Sequence, residues 1–266
     1  MVSIIVPCYN SGDFLLDAVE SCFKSSFQNF EILIVNDGST DQLTLSHLES
    51  LAARDKIRVF HQPNQGVGKA RNIAAAHAKG DFLFFLDADN RVRPDYFAEA
   101  VDAMRSRPTV GVVYAKPYFF NEQGQAPERF TVRPYSFDAL LAGNFIDMCA
   151  LVKRSAFEKV AGFDESRNLF GWEDWDLWIR IAMADWEFYF IDNVHYDYRV
   201  EDSSMMGQIN QEQYNIKLAY FSAKHGPIIF SKMKQYYPII ACIRTRPLRL
   251  FLVYLFRKYI LRTSIV

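Results

Sequence analysis

The first 115 residues alternate short apolar runs with stretches of helical period. "VSIIV", "FEILIVN", "KIRVFHQ", "DFLFFLD" and "VGVVYA" are rich in Val, Ile and Phe and predict five strands. Between them, the apolar spacing predicts helices over roughly 13–25, 41–53, 66–79 and 94–106. Asp13 and Thr40 or Asp41 are placed to cap the first two, and Pro94 suits the first turn of the fourth. Strands apolar on both faces, each followed by a helix, predict a mainly parallel sheet covered on both sides. Ligands of such sheets bind beyond the carboxyl ends of the strands. The polar clusters "PCYN", "NDGSTD" and "DADN" each follow a strand.

The second half is less regular. "YAKPYFFNEQGQAPERF" predicts a hairpin or long loop turning at Gly124. "MCALVKR" predicts a strand, and "SAFEKVAG" a short helix capped by Ser155 and closed by Gly162. "WEDWDLWIRIAMA" reads as a helix followed by two short strands, "EFYFI" and "HYDYRV". From about residue 207 the pattern is helical to the end, and no repeat or low-complexity segment interrupts it.

A chain of 266 residues, half apolar and 15% aromatic, has the material for one large α/β domain or a domain with a tail. Its net charge of −1 conceals an asymmetry: ten of the 30 basic residues and none of the 31 acidic ones follow Glu212. A basic tail on an acidic body predicts contact with an anionic surface. "RPLRLFLVYLFRKYILR" is too short and too charged to span a bilayer. With Arg246, Arg249 and Arg257 on one stripe, it is expected to lie on the inner membrane face. Packing on the body or across a homodimer is the alternative. Nucleic acid is not an expected partner, because the polar end of the sheet is acidic and has no basic stripe around it. Cys8, Cys22, Cys149 and Cys242 are scattered without a CxxC and are expected to be reduced core thiols. "MVSIIVPCYN" lacks the charged region of a signal peptide, so a cytoplasmic protein is expected, peripheral on the inner face of the cell membrane through its tail.

Several motifs carry chemistry. Asp87 and Asp89 leave a fully apolar strand one residue apart, where both carboxylates converge on one point. They read either as a metal–phosphate site or as a cap and a turn residue. Asp37 stands at a strand tip, where a carboxylate accepts from the N–H of a nucleobase; "NDGSTD" is equally a plain strand–turn–helix connection. "NQGVGKARN" is neither a P-loop, since Ala70 stands where Ser or Thr must hold magnesium, nor a GxGxxG fingerprint. It is a glycine-rich entry to a helix whose N–H groups and Arg71 face either an anion or solvent. In "GWEDWDLWIRIA", Asp176 and Arg180 are a structural i,i+4 pair. Glu173 and Asp174 open the helix beside tryptophans, which suits capping or a general base of raised pKa.

Taken in order, "VSIIVPCYN", "EILIVNDGSTD", "NQGVGKARN", "GDFLFFLDADN", "GFDE" and "WEDWDLWIR" closely resemble family 2 glycosyltransferases of the GT-A fold over about residues 1–204. That fold is a Rossmann-like, mostly parallel mixed sheet flanked by helices. The resemblance implies a catalytic domain at 1–206, with a nucleotide-sugar-binding half at 1–115 and an acceptor and catalytic half at 116–206. A helical basic extension at 207–266 lies outside it. The implied reaction is inverting transfer of a sugar from a nucleotide-sugar, most often a UDP-sugar, to the hydroxyl of a saccharide or lipid-linked acceptor. Cell-surface polysaccharide or glycolipid synthesis is the implied setting. By position, Pro7, Tyr9 and Asp37 line the base pocket, and Gly66 and Arg71 lie near the nucleotide. Asp87 lies by ribose and metal, and Asp89 is the principal ligand of a Mg or Mn ion on the diphosphate. Arg199 and Ser204 belong to the closing "HYDYRVEDSS" segment, with Ser203 a further diphosphate contact. Asp174 matches the catalytic base, with Glu173 beside it.

One position departs from the pattern: Glu201 stands where many relatives carry His. Glu201, His195 or water is left as the third metal contact. The 117–150 region, Asn144 to Met148 in particular, is expected to shape the acceptor site. A nucleotidyltransferase would want a glycine-rich basic loop after the first strand, which "PCYNSGDF" lacks. A non-catalytic nucleotide- or sugar-binding protein on the same fold is the other alternative.

Overall fold

Strand β1, Val2–Cys8, is buried at every residue but Pro7, as a strand apolar on both faces must be. β2, Phe30–Asp37, runs parallel to it from Val2 opposite Phe30 to Cys8 opposite Asn36. β3, Ile57–Gln62, extends the sheet on one side and β4, Phe82–Phe85, on the other, both parallel. The intervening helices are α1 (Phe14–Phe23), α2 (Gln42–Ala52), α3 (Val67–His77) and α4 (Tyr96–Ser106), close to their predicted bounds. A computed structural model describes residues 1–201 and 209–245 of the chain, with side chains to residue 235. Ser203, Ser204, the Cys242 side chain and the tail from Arg246 lie outside the described residues.

Beyond β4 the direction changes. β8, Leu151–Lys153, pairs antiparallel with β4 and with β6, Val110–Asn121. β9, Glu187–Arg199, then lies parallel along β6, and the short β5, Arg91–Val92, closes that edge. The order is β3-β2-β1-β4-β8-β6-β9-β5, with β7, Gly124–Gln125, folding back on β6 in the predicted hairpin. The longer pairings are parallel and the short ones antiparallel, in agreement with a mixed, mostly parallel sheet. Phe84 on β4 meets Tyr96 and Phe97 of α4 edge-on at 5.4 and 4.9 Å, inside a core that also holds Ile4, Ile32 and Leu151.

Three local expectations are corrected. "EFYFI" and "HYDYRV" form one strand, because polar Asp192 and Asn193 are accommodated as a bulge: Ala115 faces Ile191 while Lys116 faces Val194. Ser155 does not cap α6, Arg154–Lys159, whose N-cap is Lys153. Asp13 gives no side-chain cap to α1; its carboxylate meets His47 instead, at 2.9 Å. Asp41 does cap α2, accepting from Thr44 N–H at 2.7 Å. Cys8, Cys22 and Cys149 are buried free thiols, as expected.

Two units divide the chain, Met1–Lys217 and Leu218–Val266. In the second, which holds most of α8 (Gln211–Thr245), the Phe221 and His225 rings lie 4.7 Å apart, while Phe230 and Met233 are exposed. Among the described residues no helix is long and apolar enough to cross a membrane.

Candidate active site

The carboxyl ends of β1, β2 and β4 meet the head of α3 and the head of α7, Glu173–Met183. At β2, Asp37 is buried and its two oxygens accept from Gln65 N–H at 2.7 Å, from Gly66 N–H at 2.9 Å and from the Gln62 amide. This carboxylate therefore shapes the loop that opens α3. Gly38 has φ of +79° and backs onto that loop; a β-carbon there would stand 2.7 Å from Asn64 N. Pro7 is half-buried at the end of β1, and Tyr9 beyond it is 50% exposed. Gly66, at φ of +97°, is the N-cap of α3.

Arg71 lies on the inner face of α3 and is 5% exposed. It donates to Asp87 Oδ1 at 2.6 Å, with its guanidinium 5.4 Å from the Phe163 ring. Burial disfavours its charge, but Asp87, Glu173 and Asp174 outweigh that and hold its pKa above the ordinary value. The "DADN" turn is tied from both sides. Asn90, buried, accepts from Arg199 N–H at 2.9 Å, and Arg199 Nε donates to the Asp89 carbonyl at 3.1 Å. The Arg199 guanidinium lies 4.1 Å from the Phe14 ring and 4.6 Å from Phe120, and its Nη2 reaches Asp17 at 3.2 Å. Arg199 is thereby committed to positioning the turn.

Asp89 is pushed up to about 7 by burial first, then by the charge of Asp87, with Glu201 adding to it against Arg199. Two carboxylates crowded in this way are what a divalent cation relieves. Among the described residues, no three His, Cys, Asp or Glu side chains gather as a cation site. An ion held by Asp87 and Asp89 would have to take its remaining ligands from outside such a cluster. Of the other candidate contacts, Glu201 is near enough to act on Asp89. His195 is turned away: it is buried, bonds Glu99 at 2.9 Å and stacks on Tyr96 at 5.1 Å.

The head of α7 supplies the second set of carboxylates. Glu173 is buried and accepts from Gly171 N–H at 2.7 Å; burial raises its pKa while Arg71 draws it back. Asp174 is pushed up to about 7 by burial, then by Glu173 and Asp147, with Arg71 acting the other way. Its Oδ1 accepts from Trp175 N–H at 2.7 Å and its Oδ2 from the Asn144 amide at 2.8 Å. The tryptophans anchor the loop that brings Asn144 there. Trp175 Nε1 donates to the Leu140 carbonyl at 2.6 Å and Trp178 Nε1 to Ile146 at 2.9 Å.

Asp147 falls within the Asn144 to Met148 stretch expected to shape the acceptor site, but was not singled out for its charge. Burial, then the charge of Asp87, pushes it up to about 6, and it accepts from Cys149 N–H at 3.1 Å. Its signal was present, since it is the lone acidic residue in the otherwise apolar run "FIDMCALV". The structure therefore unites Asp87, Asp89, Asp147, Glu173 and Asp174 with Arg71, from four chain segments.

A model of "Glycosyl transferase family 2" matches residues 3–161. The chain belongs to this family. Among curated relatives, an uncharacterized glycosyltransferase of Rickettsia felis is 33% identical over 187 residues, 68% of this chain and 30% of that protein. The glycosyltransferase GlyG of Streptococcus pneumoniae is 31% identical over 123 residues, 46% of this chain and 40% of that one. The chain spans 27% to 62% of the length of the Rickettsia relatives it matches. Among solved structures, S. aureus TarS 1–349 in complex with UDP-GlcNAc superposes with a TM-score of 0.65 at 22% identity, covering 81% of this chain and 64% of that one. That likeness extends the family's GT-A fold to this member.

Proposed function

We propose that this family 2 member is an inverting glycosyltransferase that moves a sugar from a UDP-sugar to an acceptor hydroxyl in cell-surface polysaccharide or glycolipid synthesis. The observation that carries the reading is the division of carboxylates between two places. Asp87 and Asp89 stand at the end of β4, and Asp174, with a pKa near 7, stands at the head of α7. A single displacement at an anomeric carbon needs both a group to manage the departing diphosphate and a base on the incoming hydroxyl.

Asp174, pushed up to about 7 by burial, is suited to take the proton of the acceptor hydroxyl as its oxygen bonds the anomeric carbon. The bond to the diphosphate breaks on the opposite side, and UDP leaves with that electron pair. A base so placed is worth about 10²–10⁴ in rate. Glu173 keeps Asp174 basic through its charge, and Asn144 orients the accepting oxygen. Asp87 and Asp89 would hold Mg or Mn, which supplies Lewis-acid stabilisation of the leaving diphosphate when bound. Arg71 fixes Asp87 and adds positive charge beneath the nucleotide, while Pro7, Tyr9 and Asp37 border the base. TarS was solved with UDP and with UDP-GlcNAc, which supports a uridine donor here.

The test is calorimetric titration of UDP with and without Mn²⁺ on the wild type and Asp89→Ala. Metal-dependent binding that collapses in the variant is expected. Failure of UDP with binding of GDP changes the donor, and failure of every nucleotide refutes the reading.

A further inference from the structure

Outside the carboxylate cluster lies a cavity of about 340 Å³ lined by Trp172, Ile209, Asn210, Gln211, Tyr214 and Lys217. That is within the roughly 300–1,000 Å³ range of small-ligand sites. Three features of its lining act together. Trp172 and Tyr214 meet edge-to-face at 5.9 Å and 87°, and Tyr214 is 44% exposed. The exposed Tyr214 ring offers a flat apolar face on which the C–H side of a pyranose stacks. Asn210 and Gln211 add amides that both donate and accept, which is what ring hydroxyls require.

The third feature is Lys217, on the second turn of α8. Its residue is only 4% exposed, and its ammonium lies 5.1 Å from the centre of the Trp172 ring. Among the described residues it makes no hydrogen bond and no ion pair within 4 Å. Burial draws its pKa down, and only the more distant charge of Glu173 offsets this. Glu173 is already engaged by Gly171 N–H and by the field of Arg71, so it leaves the lysine's three donors unused. An ammonium that reaches the cavity from an otherwise buried residue is placed to complete its bonds with the oxyanion of a ligand.

We infer that this cavity is an acceptor subsite for a saccharide bearing a carboxylate or phosphate, with the sugar ring on Tyr214 beside Trp172 and the oxyanion on Lys217. The inference rests on the glycosyltransferase reading, since Trp172 immediately precedes the two carboxylates that would activate the acceptor. The carboxylates at the centre repel its charge, so the oxyanion is confined to the lysine side, which orients the chain.

The test uses the full chain and ligand-observed NMR with glucuronate, galacturonate, glucose 6-phosphate and galactose 6-phosphate, against glucose and galactose as neutral parents. At least one anionic sugar is expected to bind about tenfold or more tightly than its parent, and to lose that advantage in Lys217→Met. Tyr214→Ala is expected to weaken neutral and anionic forms alike. A preference for uronates over phosphates, or the reverse, identifies the source of the charge. Lys217→Met keeps the length of the stem, and an unfolding midpoint close to that of the wild type separates lost binding from lost fold. Equal affinity for neutral and anionic sugars, or anionic binding that survives Lys217→Met, overturns the inference. UDP is titrated on the same samples. If UDP binds and no sugar does, the subsite alone falls; if sugars bind and UDP does not, the donor reading falls.

Discussion

Replacing Asn144 by Ala should shift the acidic limb of the pH–rate profile and leave the high-pH rate almost unchanged. Asn144 donates to Asp174 Oδ2 at 2.8 Å, and a bond to a carboxylate favours its ionised form. Hydrogen bonds to charged groups contribute about 1.5–3 kcal/mol when buried. Asn144 is exposed, so water recovers roughly half of that, leaving about 0.7–1.4 kcal/mol, or about 0.5–1 pKa unit at 1.36 kcal/mol per unit. Asp174, at about 7 in the wild type, would titrate about 0.5–1 unit higher in the variant. Glu173 and Asp147 already press its pKa upward, against the Trp175 N–H bond and the charge of Arg71. At pH 7 the ionised fraction then falls about two- to fivefold, and above pH 9 the two enzymes converge. The assay is kcat/KM for UDP release, with the tightest-binding nucleotide-sugar and a fixed acceptor, at half-unit steps from pH 5.5 to 9.5. A loss of equal size at every pH would mean that Asn144 contacts substrate instead. An unchanged profile would mean that the bond does not form in the working enzyme.

Other substitutions test other parts of the arrangement. Asp174→Asn should abolish transfer while preserving UDP affinity; a variant that keeps activity refutes the role of the base. The same change has a signed effect on stability. Folded Asp174 holds its proton up to about 7 against 3.8 for the ordinary group, so the wild type loses stability as pH rises between those values. The midpoint of the Asn variant relative to wild type should therefore climb from pH 4.5 to 7.5 in thermal melts, and a decline would contradict the burial argument. Arg71→Met leaves Asp87, 32% exposed, without its partner, and should cost about 2–3 kcal/mol in urea denaturation. Gly38→Ala combines φ of +79° with a β-carbon 2.7 Å from Asn64 N and should cost about 2 kcal/mol or more; a neutral result would show that the loop simply moves.

The first half of the fold was legible because its signals are local. Five strands of Val, Ile and Phe, separated by periodic helices, announce themselves within windows of ten residues. Asp87 and Asp89 draw notice for a related reason: they follow directly on a fully apolar strand, so a carboxylate there demands an explanation. What the sequence hid is non-local. The Asn144–Asp174 bond spans 30 residues and depends on two indole N–H groups reaching back to a loop. Lys217 reads as one more basic residue of a basic tail, and only burial against Trp172 distinguishes it. The join of "EFYFI" to "HYDYRV" escaped because Asp192 and Asn193 look like a turn, and a bulge is decided by the partner strand. Arg199 appeared as a ligand contact, and the turn it holds lies 110 residues earlier in the chain.

The strand order also bears on how such a protein can be taken apart. β8, from the second half of the chain, is wedged between β4 and β6, and β5, from the first half, closes the edge beyond β9. Asn72 exchanges two hydrogen bonds with the Phe163 backbone, so helix α3 is clasped to a segment 91 residues away. A nick near residue 115 would therefore yield two fragments, neither with a closed sheet of its own. Each fragment is expected to stay soluble only in the presence of the other, as a split-protein pair whose reassembly could be read as returning activity. For exchange between relatives, the transferable piece is the interleaved whole, and new donor or acceptor preferences have to arise by substitution within it.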